Sequence, residues 1–380
     1  MRRGERVADP LKDMLVIGIS TRALFDLDLE NEIFVRQGLE AYRAYQRDHE
    51  KEVLRPGTGF ALAKGLLEIN GRSQGPLVEV ILLSRNDADS SMRVFNSIEA
   101  HSLAITRGAF RGGRDPWPFL PAFHCDLFLS AEPKAVREAI DQGTPAGLVL
   151  APPASEPDAG PDGEVRIAFD GDSVLFDDEA DNIYNEQGPD AFYWHEADHA
   201  EEPLNPGPFH RFLDGLARLQ GRFPAGESPI RTALVTARSA PAHRRVVNTF
   251  RAWNIRMDEA YFLGGIDKFE VLSRLRPHIF FDDKLENLER AAIHVPSAHV
   301  PPSGEQMDLF GTASAGQNRS KPKLSRRRPT PPGVAVPVTA RPSTTRPAPI
   351  VDGREDPSGQ EAERGAPDEA APASPTASLD

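Results

Sequence analysis

Short apolar runs alternate with amphipathic stretches along most of this chain, from about residue 14 to residue 300. Apolar runs bounded by Gly, Pro or polar residues are typical of buried strands. The predicted strands are Met14 to Ile19, Leu77 to Leu83, Cys125 to Leu129, Gly147 to Leu150, Val165 to Phe169, Thr232 to Val235 and Ile279 to Phe281. Helical periodicity between the strands predicts a parallel sheet covered on both faces, which is an α/β doubly wound architecture.

The predicted helices follow from apolar residues that recur at helical spacing between the strands. They are Glu32 to His49, Ser90 to His101, Lys134 to Gln142, Asp181 to His199, Phe209 to Leu219, Pro241 to Trp253 and Lys268 to Leu275. Ligands of doubly wound sheets bind at the carboxyl ends of the strands. Polar residues at those ends are therefore the candidates for chemistry.

The pattern occurs twice, at an offset of 150 to 152 residues. Matching landmarks are Gln37-Gly38 and Gln187-Gly188, Asp48-His49 and Asp198-His199, Pro56-Gly57 and Pro206-Gly207, and Arg93-Val94 and Arg245-Val246. A single register across so many landmarks predicts an internal duplication. We place the copies at residues 14–150 and 164–302, each with its own core, joined by a linker rich in Pro and Gly at residues 151–163.

Acidic residues stand at the strand ends of the second copy but not of the first. The residues of the second copy and their counterparts are Asp170 and Ile19, Asp172 and Thr21, Thr236 and Ser84, Lys268 and Pro116, and Asp282-Asp283 and Ser130-Ala131. The first copy has lost the acids and the lysine together, which indicates a degenerate copy kept for its shape. We therefore expect the reaction in the second copy.

The two aspartates after the strand Val165 to Phe169 suit phosphoryl transfer. An aspartate can act as a covalent nucleophile, so Asp170 is predicted to attack phosphorus and form an aspartyl phosphate. Asp172, two residues later, is predicted to handle the proton of the leaving group. Each of these residues alone is more often part of an ordinary turn, and the prediction depends on their combination with the residues downstream.

Attack on a phosphate dianion requires positive charge at the site. Asp282 and Asp283 are predicted to supply carboxylates to a magnesium ion, and Lys268 an ammonium group. Thr236 offers a hydroxyl and a backbone N–H at a strand-to-helix turn, where anions are favoured. Arg238 either contacts the substrate phosphate, supports a residue that does, or caps the surface at a helix start, and the sequence leaves these alternatives open.

Four segments resemble the haloacid dehalogenase (HAD) superfamily and, more closely, the cytosolic 5′-nucleotidase type I family. They are Ile19 to Asp26, Ala168 to Phe176, Leu234 to Ser239 and Arg276 to Asp283, and the resemblance covers most of residues 14–302. It implies two tandem Rossmann-like, HAD-like domains and hydrolysis of nucleoside 5′-monophosphates, with AMP and deoxynucleotides as the usual substrates.

The resemblance also implies a role for each site residue. Asp170 would be the nucleophile, Asp172 the general acid and then the base, and Thr236 and Lys268 the phosphate ligands. Mg²⁺ would be held by Asp170, the Asp172 carbonyl and Asp282 or Asp283.

Composition narrows the class of protein. The net charge of -13 argues against broad nucleic-acid binding. Cys125 is the single cysteine, which excludes an intrachain disulfide and fits a reducing cytoplasm. No stretch approaches the roughly 20 apolar residues of a membrane span. We expect a soluble cytoplasmic protein, and a homo-oligomer is left open.

The last part of the chain, residues 303–380, is rich in Pro, Ser, Thr, Ala and Arg and is predicted to be disordered. Within it, Gln306 to Phe310 resembles the pentapeptide with which bacterial DNA polymerases dock to the sliding clamp. The segment either binds such a clamp or packs back on the last helix.

Three functions are compatible with these patterns. The leading one is a magnesium-dependent 5′-nucleotidase, and the nearest alternative is a HAD-type phosphatase of another small phosphomonoester. An alternative of a different class is a clamp-tethered adaptor that responds to nucleotides. The intact acids of the second copy disfavour the adaptor, since binding alone does not require them.

Overall fold

The computed structural model describes residues 9–153 and 163–302 of the chain. Ten strands form one sheet. Their bounds are β1 Leu15–Ser20, β2 Val78–Ser84, β3 Arg107–Phe110, β4 Leu127–Ser130, β5 Ala146–Val149, β6 Val165–Phe169, β7 Ile230–Thr236, β8 Glu259–Phe262, β9 Ile279–Asp282 and β10 Ser297–His299. Most positions in the central strands are buried, as expected for a sheet covered on both faces.

The strand order is β3-β2-β1-β4-β5-β10-β9-β6-β7-β8. We call residues 9–153 the N-terminal half and residues 163–302 the C-terminal half. Strands within each half pair in parallel, and the halves meet where β5 and β10 pair antiparallel. From one edge of the sheet inward, the strands of the N-terminal half have the order β3-β2-β1-β4-β5. From the other edge inward, those of the C-terminal half have the corresponding order β8-β7-β6-β9-β10. The prediction of an α/β protein with a mostly parallel sheet is confirmed.

Twelve α-helices connect the strands in the part of the chain that the structure describes. Their bounds are α1 Thr21–Leu24, α2 Asp28–Gln37, α3 Leu39–Asp48, α4 Phe60–Glu68, α5 Met92–Ala100, α6 Pro133–Asp141, α7 Glu179–Gln187, α8 Pro189–Asp198, α9 His210–Gln220, α10 His243–Ala252, α11 Lys268–Leu275 and α12 Leu285–Ala291. The single helices predicted over Glu32 to His49 and Asp181 to His199 are wrong. Each is broken at a glycine, Gly38 or Gly188, with φ of 87°, a conformation that interrupts a right-handed helix.

Each half packs one of its helices on the first strand of the other half. A β-carbon at Gly65 of α4 would lie 2.9 Å from Val165 Cγ2, and one at Gly215 of α9 would lie 2.8 Å from Leu15 Cδ1. The largest cluster of buried apolar side chains accordingly contains residues of both halves. The expectation that each copy has its own core is wrong for this cluster, because α4 and α9 each pack on the other half. The buried residues of two smaller clusters lie within one half each, as expected.

Two further predictions concern segments that the structure leaves mostly undescribed. The linker at residues 151–163 lies largely outside the described residues, and so does the tail from residue 303 onward, including Gln306 to Phe310. Within the described ranges, no helix has both the length and the apolar character that a membrane span requires.

His278 lies beside the contact between α4 and β6 and provides a pH prediction. Its ring Nδ1 accepts a hydrogen bond from the Arg166 backbone N–H at 3.1 Å. Burial, with a smaller contribution from the Arg166 charge, lowers the pKa of His278 to about 4. The folded state thus binds this proton more weakly than the unfolded state, whose histidine titrates near its ordinary value of about 6.5.

We expect the His278 contribution to stability to be complete above about pH 6.5 and to fall as pH drops toward 4, by at most about 3 kcal/mol. Urea unfolding of the wild type and of His278→Gln between pH 7 and pH 4 tests this. The variant should lose less stability over that interval. Parallel pH dependences would contradict the assignment.

Candidate active site

Three adjacent parallel strands, β9, β6 and β7, carry the predicted site residues at their carboxyl ends. Asp170 directly follows β6, Thr236 is the last residue of β7, and Asp282 is the last residue of β9. Neighbouring strands of a parallel sheet end at the same edge. Residues separated by more than a hundred positions in the sequence are thereby brought to one place.

The carboxylates of Asp170, Asp282 and Asp283 form a compact cluster. One oxygen from each lies within 4.8 Å of the others. Lys268, the first residue of α11, extends into the cluster. Its Nζ lies 2.6 Å from Asp170 Oδ2 and 2.7 Å from Asp282 Oδ2. One buried ammonium group is therefore paired with two of the three carboxylates.

The electrostatics of the cluster follow from burial and like charge. Burial raises the pKa of Asp170 to about 8, with Asp282 and Asp283 adding to the rise and Lys268 opposing it. Burial and the Asp282 charge likewise raise the pKa of Asp283 to about 7. Burial alone would lower the pKa of Lys268, but Asp170 and Asp282 raise it. When ionised, the three carboxylates outnumber the one ammonium group of Lys268, and a bound cation would favour their ionised forms.

Asp282 and Asp283 differ in their hydrogen bonds. Asp282 is fully buried, and it accepts bonds from the Lys284 backbone N–H at 2.7 Å and from Asn287 Nδ2 at 3.0 and 3.1 Å. Asp283 Oδ1 is buried but has no hydrogen-bond partner. The Asp283 carbonyl lies 2.9 Å from His299 Nε2, which holds the backbone in place. Asp283 therefore presents an unsatisfied oxygen, as expected of a metal ligand.

Asp172 lies apart from this cluster of carboxylates. Its Oδ1 and Oδ2 accept bonds from Arg238 NH2 at 2.6 Å and Nε at 2.9 Å. Asp172 has two groups that could hold a metal, its carboxylate and its backbone carbonyl. The carboxylate is engaged by Arg238, and only the backbone carbonyl, which the resemblance named, is left as a candidate ligand.

Arg238 is buried rather than placed on a helix surface, so the reading of a surface cap is wrong. Its backbone N–H donates to Thr236 Oγ1 at 3.2 Å, and its NH1 donates to Glu196 of α8. Burial alone would lower the pKa of Arg238, but Asp172 and Glu196 raise it above the ordinary value. The position links the turn after β7 to the loop that contains Asp172.

Glu196, Asn287 and His299 were not predicted from the sequence. Glu196 was not evident because it lies inside a helix, away from any strand end. The duplication contained one signal, since the position corresponding to Glu196 is Gln46, a change of charge within an otherwise similar helix. Asn287 and His299 follow the last recognisable motif and had no comparable signal.

The carboxyl ends of the strands in the N-terminal half lack the acids, and they lie at the opposite edge of the sheet because β5 and β10 pair antiparallel. Ile19 pairs with Leu129 in β4 as Phe169 pairs with Phe281 in β9, so the counterpart of Asp170 is Ser20 and the predicted match of Ile19 with Asp170 is wrong by one residue. The other positions are Thr21 after β1, Ser84 at the end of β2, and Ser130 and Ala131 at the end of β4. Over residues 9–153 and 163–302, the acidic group able to hold a metal is the one at Asp170, Asp282 and Asp283. The candidate chemistry therefore lies in the C-terminal half.

Comparisons with known proteins identify the family of the chain. A family model described as 5′-nucleotidase matches residues 7–307. Cytosolic 5′-nucleotidase 1B from Homo sapiens is 37% identical over 291 residues, which make up 74% of this chain and 47% of that protein. The chain thus spans about half the length of this relative.

Among solved structures, a histidinol dehydrogenase from Elizabethkingia anophelis is 9% identical and covers 75% of this chain and 79% of that chain, with a TM-score of 0.18. So low a score is no support for a shared fold. The family model and the human relative confirm the resemblance to the cytosolic 5′-nucleotidase type I family. The model covers most of the chain, including every residue of the cluster, and the chain therefore belongs to the 5′-nucleotidase family.

Proposed function

We propose that this chain is a magnesium-dependent phosphoric monoester hydrolase that removes the 5′-phosphate from nucleoside or deoxynucleoside monophosphates, with AMP and deoxynucleotides as leading substrates. The observation that carries the proposal is the buried cluster of Asp170, Asp282, Asp283 and Lys268 beside Thr236, at the carboxyl ends of adjacent strands. Family membership supports the same reaction class. The relative named cytosolic supports a cytoplasmic location.

The residues of the cluster fit a magnesium ion. Mg²⁺ prefers oxygen ligands, and the cluster offers carboxylates from Asp170 and from Asp282 or Asp283, with the Asp172 carbonyl nearby in sequence. The unpartnered Asp283 Oδ1 and the excess of negative charge favour a cation there. When bound, the ion would offset the negative charge of the phosphoryl group and so reduce its repulsion of the nucleophile.

In the first step, an oxygen of Asp170 attacks phosphorus and the bond between phosphorus and O5′ breaks. Asp172 donates a proton to O5′, so the nucleoside leaves as a neutral alcohol. The product on the protein is an aspartyl phosphate at Asp170. Lys268, already 2.6 Å from Asp170, is placed to offset charge on the transferring phosphoryl oxygens.

In the second step, Asp172 takes a proton from a water molecule, and the water oxygen attacks phosphorus. The bond between phosphorus and the Asp170 oxygen breaks, which regenerates the carboxylate and releases inorganic phosphate. Thr236 would donate its hydroxyl or N–H to phosphoryl oxygens in both steps. Arg238 would orient Asp172, since its guanidinium engages both oxygens of that carboxylate.

We also infer that the two halves arose by duplication of one HAD-like, doubly wound domain, with copies at residues 14–150 and 164–302. Support comes from the matching strand orders and from equivalent contacts. The Phe25–Pro56 bridge corresponds to the Phe176–Pro206 bridge. Likewise, the Gly57 N–H donates to the Leu24 carbonyl as the Gly207 N–H does to that of Leu175.

The test is phosphate release from ribo- and deoxyribonucleoside 5′-monophosphates, with ribose 5-phosphate as the non-nucleotide comparison, in Mg²⁺ and in EDTA. We expect turnover that requires Mg²⁺ and a kcat/KM for the best nucleotide at least about tenfold above that for ribose 5-phosphate. Turnover of ribose 5-phosphate equal to that of every nucleotide would favour the alternative phosphatase. Absence of turnover on all of them would contradict the proposal.

A further inference from the structure

Four buried charged side chains form a continuous chain next to the candidate active site. Asp172 is bonded to Arg238, Arg238 to Glu196, and Glu196 Oε1 accepts a bond from Arg245 NH1 at 2.8 Å. All four residues are at least nine-tenths buried. Negative and positive groups alternate along the chain, so each interior member has a partner on either side.

One part of this arrangement occurs in both halves of the molecule. Nε of Arg245 in α10 donates to the Glu202 carbonyl at 3.1 Å, and Nε of Arg93 in α5 donates to the Glu52 carbonyl at 3.0 Å. The same two helices also bind these loops through Thr249 and Ser97, whose hydroxyl oxygens accept bonds from the Leu204 and Leu54 backbone N–H groups, at 2.9 Å in each case. These contacts hold a helix to a loop in each half. Because both halves have them, they belong to the fold that the halves share.

The remaining three members occur only in the C-terminal half. In the N-terminal half, the turn after β1 has Thr21 and Arg22 in place of Asp172, and Asn86 and Gln46 stand at the positions of Arg238 and Glu196. Asn86 lies two residues after the end of β2, as Arg238 does after β7. Gln46 Oε1 and Asn86 Nδ2 are buried without a hydrogen-bond partner. The N-terminal half therefore keeps the same elements without these ion pairs, so the fold of a half does not require them.

The three charges are absent together from the half that also lacks the acidic cluster. This indicates that Glu196 and Arg238 belong with the reaction, although Glu196 lies on α8 and outside the cluster at the strand ends. The guanidinium is a planar fork with fixed directions. Its Nε and NH2 edge faces Asp172 while NH1 faces Glu196, and the rings of Phe176 and Phe192 lie 5.8 and 5.6 Å from its carbon.

We propose that Glu196 is a positioning residue, which fixes the Arg238 guanidinium and through it the direction of the Asp172 carboxyl group. This inference rests on the proposed function, because Asp172 is there the group that protonates the leaving oxygen. Glu196 itself contacts Arg238 and Arg245 and lies outside the cluster. Without the Glu196 carboxylate, NH1 of Arg238 loses its partner and the guanidinium can rotate. The orientation of Asp172, which the Nε and NH2 edge holds, is then no longer fixed.

The test uses the dependence of the rate on the leaving group. A nucleoside alcohol must be protonated as it departs, whereas p-nitrophenolate departs without a proton. For Glu196→Gln, we expect kcat/KM to fall about 100-fold on the best nucleotide, and by clearly less on p-nitrophenyl phosphate. Asp172→Asn should show a larger difference between its losses of kcat/KM on the two substrates. A merely structural role would lower both values by the same factor.

The matched control is Glu30→Gln, which removes a buried carboxylate 2.6 Å from Arg93 in the N-terminal half. It should lower the melting temperature by an amount similar to Glu196→Gln and leave both kcat/KM values unchanged. Glu196→Asp, which keeps the charge but shortens the side chain, is the second variant if Glu196→Gln does not fold. It should show the same dependence on the leaving group.

Equal losses on the two substrates, or no loss on either, would overturn the inference for Glu196 while the wild type still hydrolyses nucleotides. A wild type that hydrolyses no nucleotide would overturn the proposed function and this inference with it. A wild type that turns over nucleotides, with Asp172→Asn insensitive to the leaving group, would overturn the acid role of Asp172 and the inference that depends on it. The results therefore distinguish the two failures.

Discussion

Asp170→Asn is expected to abolish nucleotide hydrolysis, with kcat falling by a factor on the order of 10⁴ to 10⁶, the range seen when a covalent nucleophile is removed. The amide has the shape of the carboxylate but cannot form the phosphoryl bond. The melting temperature should not fall, because the change relieves repulsion among three clustered carboxylates while Lys268 keeps its pair with Asp282. Phosphate release and thermal unfolding of the purified variant measure both effects.

The control for this prediction is Asp126→Asn. Asp126 is also a buried aspartate, but it lies in the other half of the molecule, directly before β4, where its Oδ2 accepts a bond from the Val16 N–H at 2.9 Å. We expect its kcat to match that of the wild type. Equal losses in the two variants would show that the effect reflects a buried aspartate in general, which contradicts a special role for Asp170.

Lys268→Met is expected to have the second-largest effect, on both activity and stability. The ammonium group is the nearest cation to Asp170 and Asp282, and breaking a buried pair by removing one partner costs about 3 to 5 kcal/mol. We expect the free energy of unfolding in EDTA to fall by about that amount, and kcat to fall by about 10² to 10³ because charge stabilisation is lost.

Urea unfolding in EDTA and in Mg²⁺ separates the two contributions. A cation held by the carboxylates should restore part of the stability of Lys268→Met, because a ligand that binds only the folded state stabilises it. Lys284→Met is the control, since its pair with Asp181 is half-exposed and should contribute no more than about 1 kcal/mol. A stability loss in Lys268→Met no greater than in this control would contradict the role of Lys268.

The sequence was sufficient to predict the strand ends and the residues placed there. Buried parallel strands are continuous apolar runs, so β6, β7 and β9 could be located, and the residues after them could be assigned to one edge. Topology then brings Asp170, Thr236 and Asp282 together, although no local pattern relates them. The short edge strands β3 and β8 were missed because their four residues are only partly buried.

Helix breaks and contacts between the halves were harder to predict. The pattern over Asp181 to His199 is helical on both sides of Gly188, and only the backbone conformation shows that the chain turns there. The packing of each half on the other depends on Gly65 and Gly215, because their small size permits close approach to Val165 and Leu15. Such packing between distant segments leaves no periodic signal in either segment.

The buried ion pairs illustrate a different limit. Arg238 could be read as a surface residue because charged side chains are rarely buried without partners, and its partner Glu196 is 42 positions away. The pairing becomes evident only when α8 is placed over the turn after β7. Comparison of the two halves then separates what the fold needs, the Arg245 and Arg93 contacts, from what accompanies the acidic cluster.

Covalent phosphorylation of Asp170 during nucleotide hydrolysis can be measured directly. Enzyme is mixed with its best nucleotide and Mg²⁺, denatured during turnover and treated with borohydride, which reduces an aspartyl phosphate to homoserine. We predict homoserine at position 170 by peptide mass spectrometry, and none at this position in Asp170→Asn. Modification of a different aspartate, or continued turnover without modification at position 170, would contradict the account.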